Sequence, residues 1–185
     1  MATRRNYGFV PIGPIAQNYT DAQWSQREEE YKRSVDSISI PFEPDDIDIT
    51  SINAMIDQVY TIAKIECAIY DRLCEKLNRQ KKNSETEVYL IVKRSLPVDA
   101  NGNPEKRTET EMKALGAEFL TTHAAQGYGA SNLTIYQLLD MAENRKVFME
   151  AIVDILSKKS DKLITDSGAL KLAVQLSGRG GGNTP

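Results

Sequence analysis

From Asp45 to Leu96 the chain runs without a glycine or a proline, and no other interval constrains the fold as strongly. Within it Ile52, Met55, Ile56, Val59, Tyr60, Ile62, Ala63, Ile69, Tyr70, Leu73 and Leu77 recur at steps of three and four. That spacing sets apolar side chains along one side of an α-helix. Thr50 or Ser51 is suited to cap the start. The stripe lasts about seven turns before the polar run Asn78-Arg-Gln-Lys-Lys-Asn83 weakens it, and a second helical stretch is expected through Val88 and Val92.

A similar interval follows Gly127-Tyr-Gly129, with no glycine or proline until Gly168. Leu133, Tyr136, Leu139, Val147, Met149, Ile152, Val153, Ile155 and Leu156 predict another long helix, with Ser131 or Asn132 as cap. Leu163 to Leu176 keeps helical spacing around Gly168, where a bend or weakened turn is expected. Between the two long patterns, residues 96–104 read as a turn-rich break with Asn101-Gly102 as its tight turn. Thr108 followed by Glu111 is a capping box opening a helix over Glu109–Thr121, with Met112, Leu115 and Phe119 on one face.

Four of the seven prolines, Pro11, Pro14, Pro41 and Pro44, crowd the first segment, the others being Pro97, Pro104 and Pro185. Residues 1–49 therefore read as an extended or partly disordered acidic arm. It holds a short helix from about Asp21 to Val35, capped by Thr20 or Asp21, on which Trp24, Tyr31 and Val35 give a face to dock. Residues 50–176 form the helical domain, and the Gly-rich 177–185 a flexible tail. The fold class is all-α: long antiparallel helices in an oligomerising bundle. The helices carry more apolar stripe than a thin monomer covers, and Ile152, Ile155, Leu156 and Leu163 are the expected homo-oligomer interface.

Composition narrows the function. A chain of 185 residues with 41% apolar and 26% charged side chains fits one soluble domain with tails. One His and two Cys leave too few side chains for most zinc sites, histidine-based catalysis or a disulfide framework. Cys67 and Cys74 share a helix face and read as packing residues, and His123 as part of a helix terminus. Asp45, Asp46 and Asp48 lack a phosphate loop beside them and read as caps and solubilising charge. We expect no enzyme, no metal and no cofactor. No apolar run reaches the length of a membrane span, and the start lacks a signal-peptide pattern, so a cytosolic protein is expected.

Net charge is -3, from 23 basic against 26 acidic side chains, and it is unevenly spread. Residues 1–59 hold 5 basic and 10 acidic groups, residues 60–113 hold 11 and 9, and residues 114–185 hold 7 and 7. Between Lys76 and Arg94 the cations Lys76, Arg79, Lys81, Lys82, Lys93 and Arg94 face only Glu85 and Glu87, a candidate polyanion contact. Further pairs recur at Lys106-Arg107, Arg145-Lys146 and Lys158-Lys159, and folded-back helices would let several converge.

The order of these pieces resembles the recombination mediator proteins of large tailed bacteriophages, the UvsY-like family. The matching parts are the helix Ile52–Arg94, the signature Glu105-Lys-Arg-Thr-Glu-Thr-Glu-Met-Lys-Ala114, and the run from Asn144 to Leu163, covering roughly residues 50–176. Where that family has a basic stretch, paired tyrosines and a glycine, this chain has Tyr89 and Lys93-Arg94. The resemblance implies a small oligomeric helical protein in the cytoplasm of an infected bacterial host. It would bind single-stranded DNA, meet a phage single-strand-binding protein and help load a RecA-type recombinase. Lys81, Lys82, Lys93, Arg94, Lys106, Arg107 and Lys113 would then contact phosphate, with Tyr89 stacking on a base. The competing reading is an oligomeric structural or scaffolding protein of a phage virion or its assembly, whose arm threads Tyr7, Phe9 and Trp24 onto a neighbour.

Overall fold

The structure is a computed structural model and describes residues 7–15, 19–98, 100–103, 106–125 and 132–179, with side chains in the last segment followed to residue 168. It is all-α, with no strand among the described residues: α1 (Asp21–Ser37), α2 (Asp46–Arg94), α3 (Glu109–Thr122) and α4 (Ile135–Arg179). The chain divides into two compact units. Unit 1 comprises residues 1–67 and 148–185, and unit 2 residues 68–147. This division differs from the expected arm, helical domain and tail at 49/50 and 176/177, because α1 belongs to the core of unit 1.

All four helices open with the same reciprocal device, in which the N-cap side chain accepts from the N3 amide while the N3 side chain accepts from the N-cap amide. Thr20 and Gln23 form it for α1, and Thr108 and Glu111 for α3. For α2 the pair is Asp45 and Asp48, at 2.7 and 3.1 Å. For α4 it is Thr134 and Gln137, at 3.3 and 2.9 Å. Two expectations are corrected here. The long helix begins at Asp46, not at Thr50 or Ser51, whose roles are different: the Thr50 hydroxyl donates back to the Asp46 carbonyl at 2.8 Å. The cap of α4 is Thr134, not Asn132; Ser131 and the Gly127–Gly129 break lie outside the described residues.

Helix α2 also runs unbroken through Asn78–Asn83, so the second helical stretch expected through Val88 and Val92 belongs to the same helix. The polar residues there are exposed or half-buried, and Leu77 and Val88 on either side are buried and hold the helix to its neighbours. Helix α4 likewise continues through Gly168 and past Ser177 to Arg179; residues 180–185 of the expected tail lie outside the described set. Asn101-Gly102 behaves as expected, Gly102 taking φ +80°, a conformation that costs glycine nothing.

In unit 1 the buried apolar side chains come from three sources: Ile12, Trp24, Tyr31, Val35 and Ile38 from the arm, Ile52, Met55, Ile56, Val59 and Ala63 from α2, and Met149, Ile152, Leu156 and Leu163 from α4. Phe148 sits edge-on to Trp24 and Tyr31, with centroids 5.9 and 6.2 Å away. Trp24, Tyr31 and Val35 thus form the expected docking face, and Trp24 is core, not the exposed arm aromatic of the competing reading. Ile152, Leu156 and Leu163 are spent on the monomer's own interior, and of the four expected interface residues only Ile155 stays exposed. Unit 2 packs Cys74, Leu77 and Val88 of α2 against Leu120 of α3 and Ile135, Leu139 and Ala142 of α4. There α2 and α4 are antiparallel: Asp71 meets Lys146 while Glu85 meets Tyr136.

Candidate nucleic-acid interface

On α2, Arg79, Lys82, Thr86, Tyr89 and Lys93 follow one another at steps of three and four, which confines them to a sector of about 80° at 3.6 residues per turn. Sequence reading picked four of these cations and aromatics individually; the row, with Thr86 inside it, is the signal it passed over. Lys82, Glu85, Thr86 and Tyr89 form one wall of a groove of about 600 Å³ whose other wall is Glu109, Lys113, Gly116 and Ala117 of α3. The floor is apolar because α3 presents its smallest residues there: a Cβ on Gly116 would lie 3.6 Å from a Val88 methyl.

Lys113 donates to Glu109 at 2.7 Å, one turn back on α3. That hydrogen bond, with the attraction between the charges, raises the Lys113 amine above the usual lysine range and lowers the Glu109 carboxyl below the carboxylate range. The groove thus carries one lysine on each wall, Lys82 and Lys113, with the half-buried Tyr89 and two carboxylates, Glu85 and Glu109, among its lining residues.

The remaining expected contacts are distributed elsewhere. Lys93 extends the α2 row, and Arg94 joins it in the last turn, where cations offset the unpaired carbonyls of the helix end. Lys106 and Arg107 line a separate shallow pocket of about 480 Å³ with Glu111 and Glu118. Lys81 is half-buried, its amine 4.7 Å from the centroid of Tyr136, whose hydroxyl donates to Glu85 at 3.3 Å. Of the eight residues expected at DNA, the fold gathers Lys82, Tyr89 and Lys113 in one groove and aligns Lys93 with them.

The other basic pairs are engaged by groups near them. Lys146 donates to Asp71 at 2.5 Å, Arg145 lies 6.0 Å from the centre of the Tyr70 ring, and Lys158 pairs with Asp154 at 2.6 Å. The Lys159 amine donates to the carbonyls of Val35 and Ile38, at 2.8 and 2.6 Å, and so supplies the C-terminus of α1 with the cation its own last turn lacks. Burial pushes that amine below the usual lysine range.

Sequence reading also missed the most concentrated buried polar site among the described residues. Glu66, 1% exposed, accepts from Arg27 Nε and Nη2 at 3.1 and 2.8 Å, from the Tyr31 hydroxyl at 2.9 Å and from the Tyr19 hydroxyl at 3.0 Å. Arg27, also buried, donates its remaining nitrogen to the Gly13 carbonyl at 2.9 Å and to Glu30 at 3.0 Å. A clue was present: Glu66 occupies the stripe between Ala63 and Tyr70, where spacing calls for an apolar residue.

His123 is the C-cap of α3 and stacks on Phe119 at 3.7 Å; both cysteines are free thiols, Cys74 buried. Among the described residues no cluster of His, Cys, Asp and Glu could hold a metal, and no helix is long and apolar enough to cross a membrane. No family model, no curated protein and no solved structure matches this chain.

Proposed function

We propose that this protein is a non-enzymatic single-stranded DNA-binding recombination mediator, and that strand contact runs along the α2 row opposite Lys113. The observation that carries the reading is the groove lined together by Lys82, Tyr89 and Lys113, prolonged along α2 by Lys93. Single strands are held by cations that follow the phosphates and by aromatic faces on which bases stack, and phosphate contacts carry no sequence information. Lys82 and Lys93 stand eleven residues apart, about 16 Å along the axis, room for a strand to follow the helix. The recombinase and single-strand-binding protein enter as partners by the resemblance of helix order and charged signature.

Titration against labelled single-stranded oligonucleotides at several salt concentrations tests this. Three phosphate contacts give a log–log salt slope of about -2 on single strands. The quadruple change Lys82→Ala, Tyr89→Ala, Lys93→Ala and Lys113→Ala is expected to abolish binding with helicity retained, whereas Lys106→Ala with Arg107→Ala costs less. No binding at low salt overturns the reading.

A second reading, an oligomeric structural or scaffolding protein of a phage particle, draws on large apolar side chains left on the surface of unit 1: Phe42 is 93% exposed, Ile164 62% and Ile155 41%. A large sedimentation mass with no oligonucleotide binding would favour it.

A further inference from the structure

We propose that the amino-terminal arm is exchangeable, so that α1 of one copy docks into unit 1 of a second copy and each completes the other's Glu66 site. The arm is bound to its seat by buried groups and to its own chain by almost nothing. Its seat contacts include three donors to Glu66 (Tyr19, Arg27 and Tyr31) and the aromatic packing of Trp24 and Tyr31 on Phe148. Val35 and Ile38 offer their carbonyls to Lys159. Every one of these contacts is local to unit 1 and is reproduced unchanged if the arm arrives from another molecule.

The linker is different. Among the described residues, no main-chain hydrogen bond to main chain involves residues 39–44. Ile40 and Glu43 each precede a proline, and that position disfavours anything but extended backbone. Yet the chain must bend at Phe42–Glu43 to bring α1 back onto its own α2. Straightening the linker sends the arm outward without breaking any of the docked contacts just named, the physical basis of exchange between protomers. Phe42, an aromatic ring 93% exposed at the bend, then gains a use: in a two-fold pair the linkers run side by side and the two rings cover each other.

Charge reversal separates exchange from docking within one chain. Arg27→Glu and Glu66→Arg are made in separate, differently tagged full-length chains. Each alone disfavours docking, but a mixed pair with exchanged arms restores one native Arg27–Glu66 contact and one reversed contact. The expected result is a 1:1 hetero-pair of twice the 20.7 kDa chain mass, with both arms protected from protease. Chains that stay unpaired and protease-sensitive on mixing, while folded by circular dichroism, overturn the proposal. Should either variant fail to fold, deletion of residues 39–43 decides the matter with the whole network intact. It leaves one peptide bond between the buried Ile38 and Pro44 and removes the path back to the same chain. The deletion is expected to tighten self-association by about 100-fold, the order that removing a competing intramolecular dock allows; a monomeric deletion variant overturns the proposal.

Discussion

The two units spend their charge in opposite ways. Unit 1 withdraws it from water: Arg27 is 2% and Glu66 1% exposed, and their pairing is completed by two tyrosine hydroxyls and a backbone carbonyl. Unit 2 keeps it on the surface, where Lys113 and Glu109 are both 68% exposed and Arg79 and Glu75 are 78% and 61%. Charges in the first setting are committed to one geometry, because any rearrangement strands an ion out of water. Those in the second are held weakly, screened by salt and able to trade partners, as the proposed strand contact requires.

The largest expected effect breaks the first half of this contrast. Glu66→Ala strands Arg27 and should cost about 3–5 kcal/mol in urea denaturation. The triple change Arg27→Met, Tyr31→Phe and Glu66→Leu, which removes the charges together, should recover most of that loss. Raising the pH tests the same network from the side of Tyr31. Burial, and then Glu66, push its hydroxyl far above the ordinary tyrosine range. The unfolded chain releases that proton first, so stability is fully present below about pH 10 and falls as pH rises beyond it. Tyr31→Phe should flatten that decline in a series of urea midpoints.

The groove residues of unit 2 answer in binding and not in stability. Tyr89→Ala should weaken oligonucleotide affinity by about 1–3 kcal/mol if one base stacks there. Thr134→Ala, which removes the side chain capping α4, should cost about 1 kcal/mol of unfolding free energy and leave binding unchanged. The smallest effect is expected at the Lys113 pair: Glu109→Gln should leave the denaturation midpoint where it is while strengthening oligonucleotide binding at low salt, since it releases a cation in the groove.

Much of the architecture was legible in the residues because helices are local objects. The stripe from Ile52 to Leu77, a cap at Thr20 or Asp21 and the capping box at Thr108 read directly as helix, and the structure has helices there. The errors also have a physical pattern. The expected start of α2 falls late because Thr50 and Ser51 are equally good caps in sequence, and only the reciprocal pairing of Asp45 with Asp48 fixes which residue opens the helix. A polar interruption at Asn78–Asn83 was taken for a weak point, but exposed polar side chains cost a helix little when Leu77 and Val88 anchor it. At the candidate site, Lys82, Tyr89, Lys93 and Lys113 were visible as residue types. What was not visible was which cations stay available, for Lys81, Lys146 and Lys159 look the same in sequence and are occupied within the fold.

By itself, then, the sequence determined the helices, their approximate ends, the scarcity of catalytic side chains and the uneven spread of charge, since each follows from neighbours a few positions apart. Tertiary structure alone decided that the acidic arm is core and not appendage, that Ile152, Leu156 and Leu163 face inward, and that Lys159 caps another helix. Those outcomes depend on groups brought together from 35 to 124 positions away, as Tyr31 is to Glu66 and Lys159 to Val35. No local pattern encodes the meeting; it arises when apolar stripes on separate helices are buried together and the polar groups carried in with them must find one another.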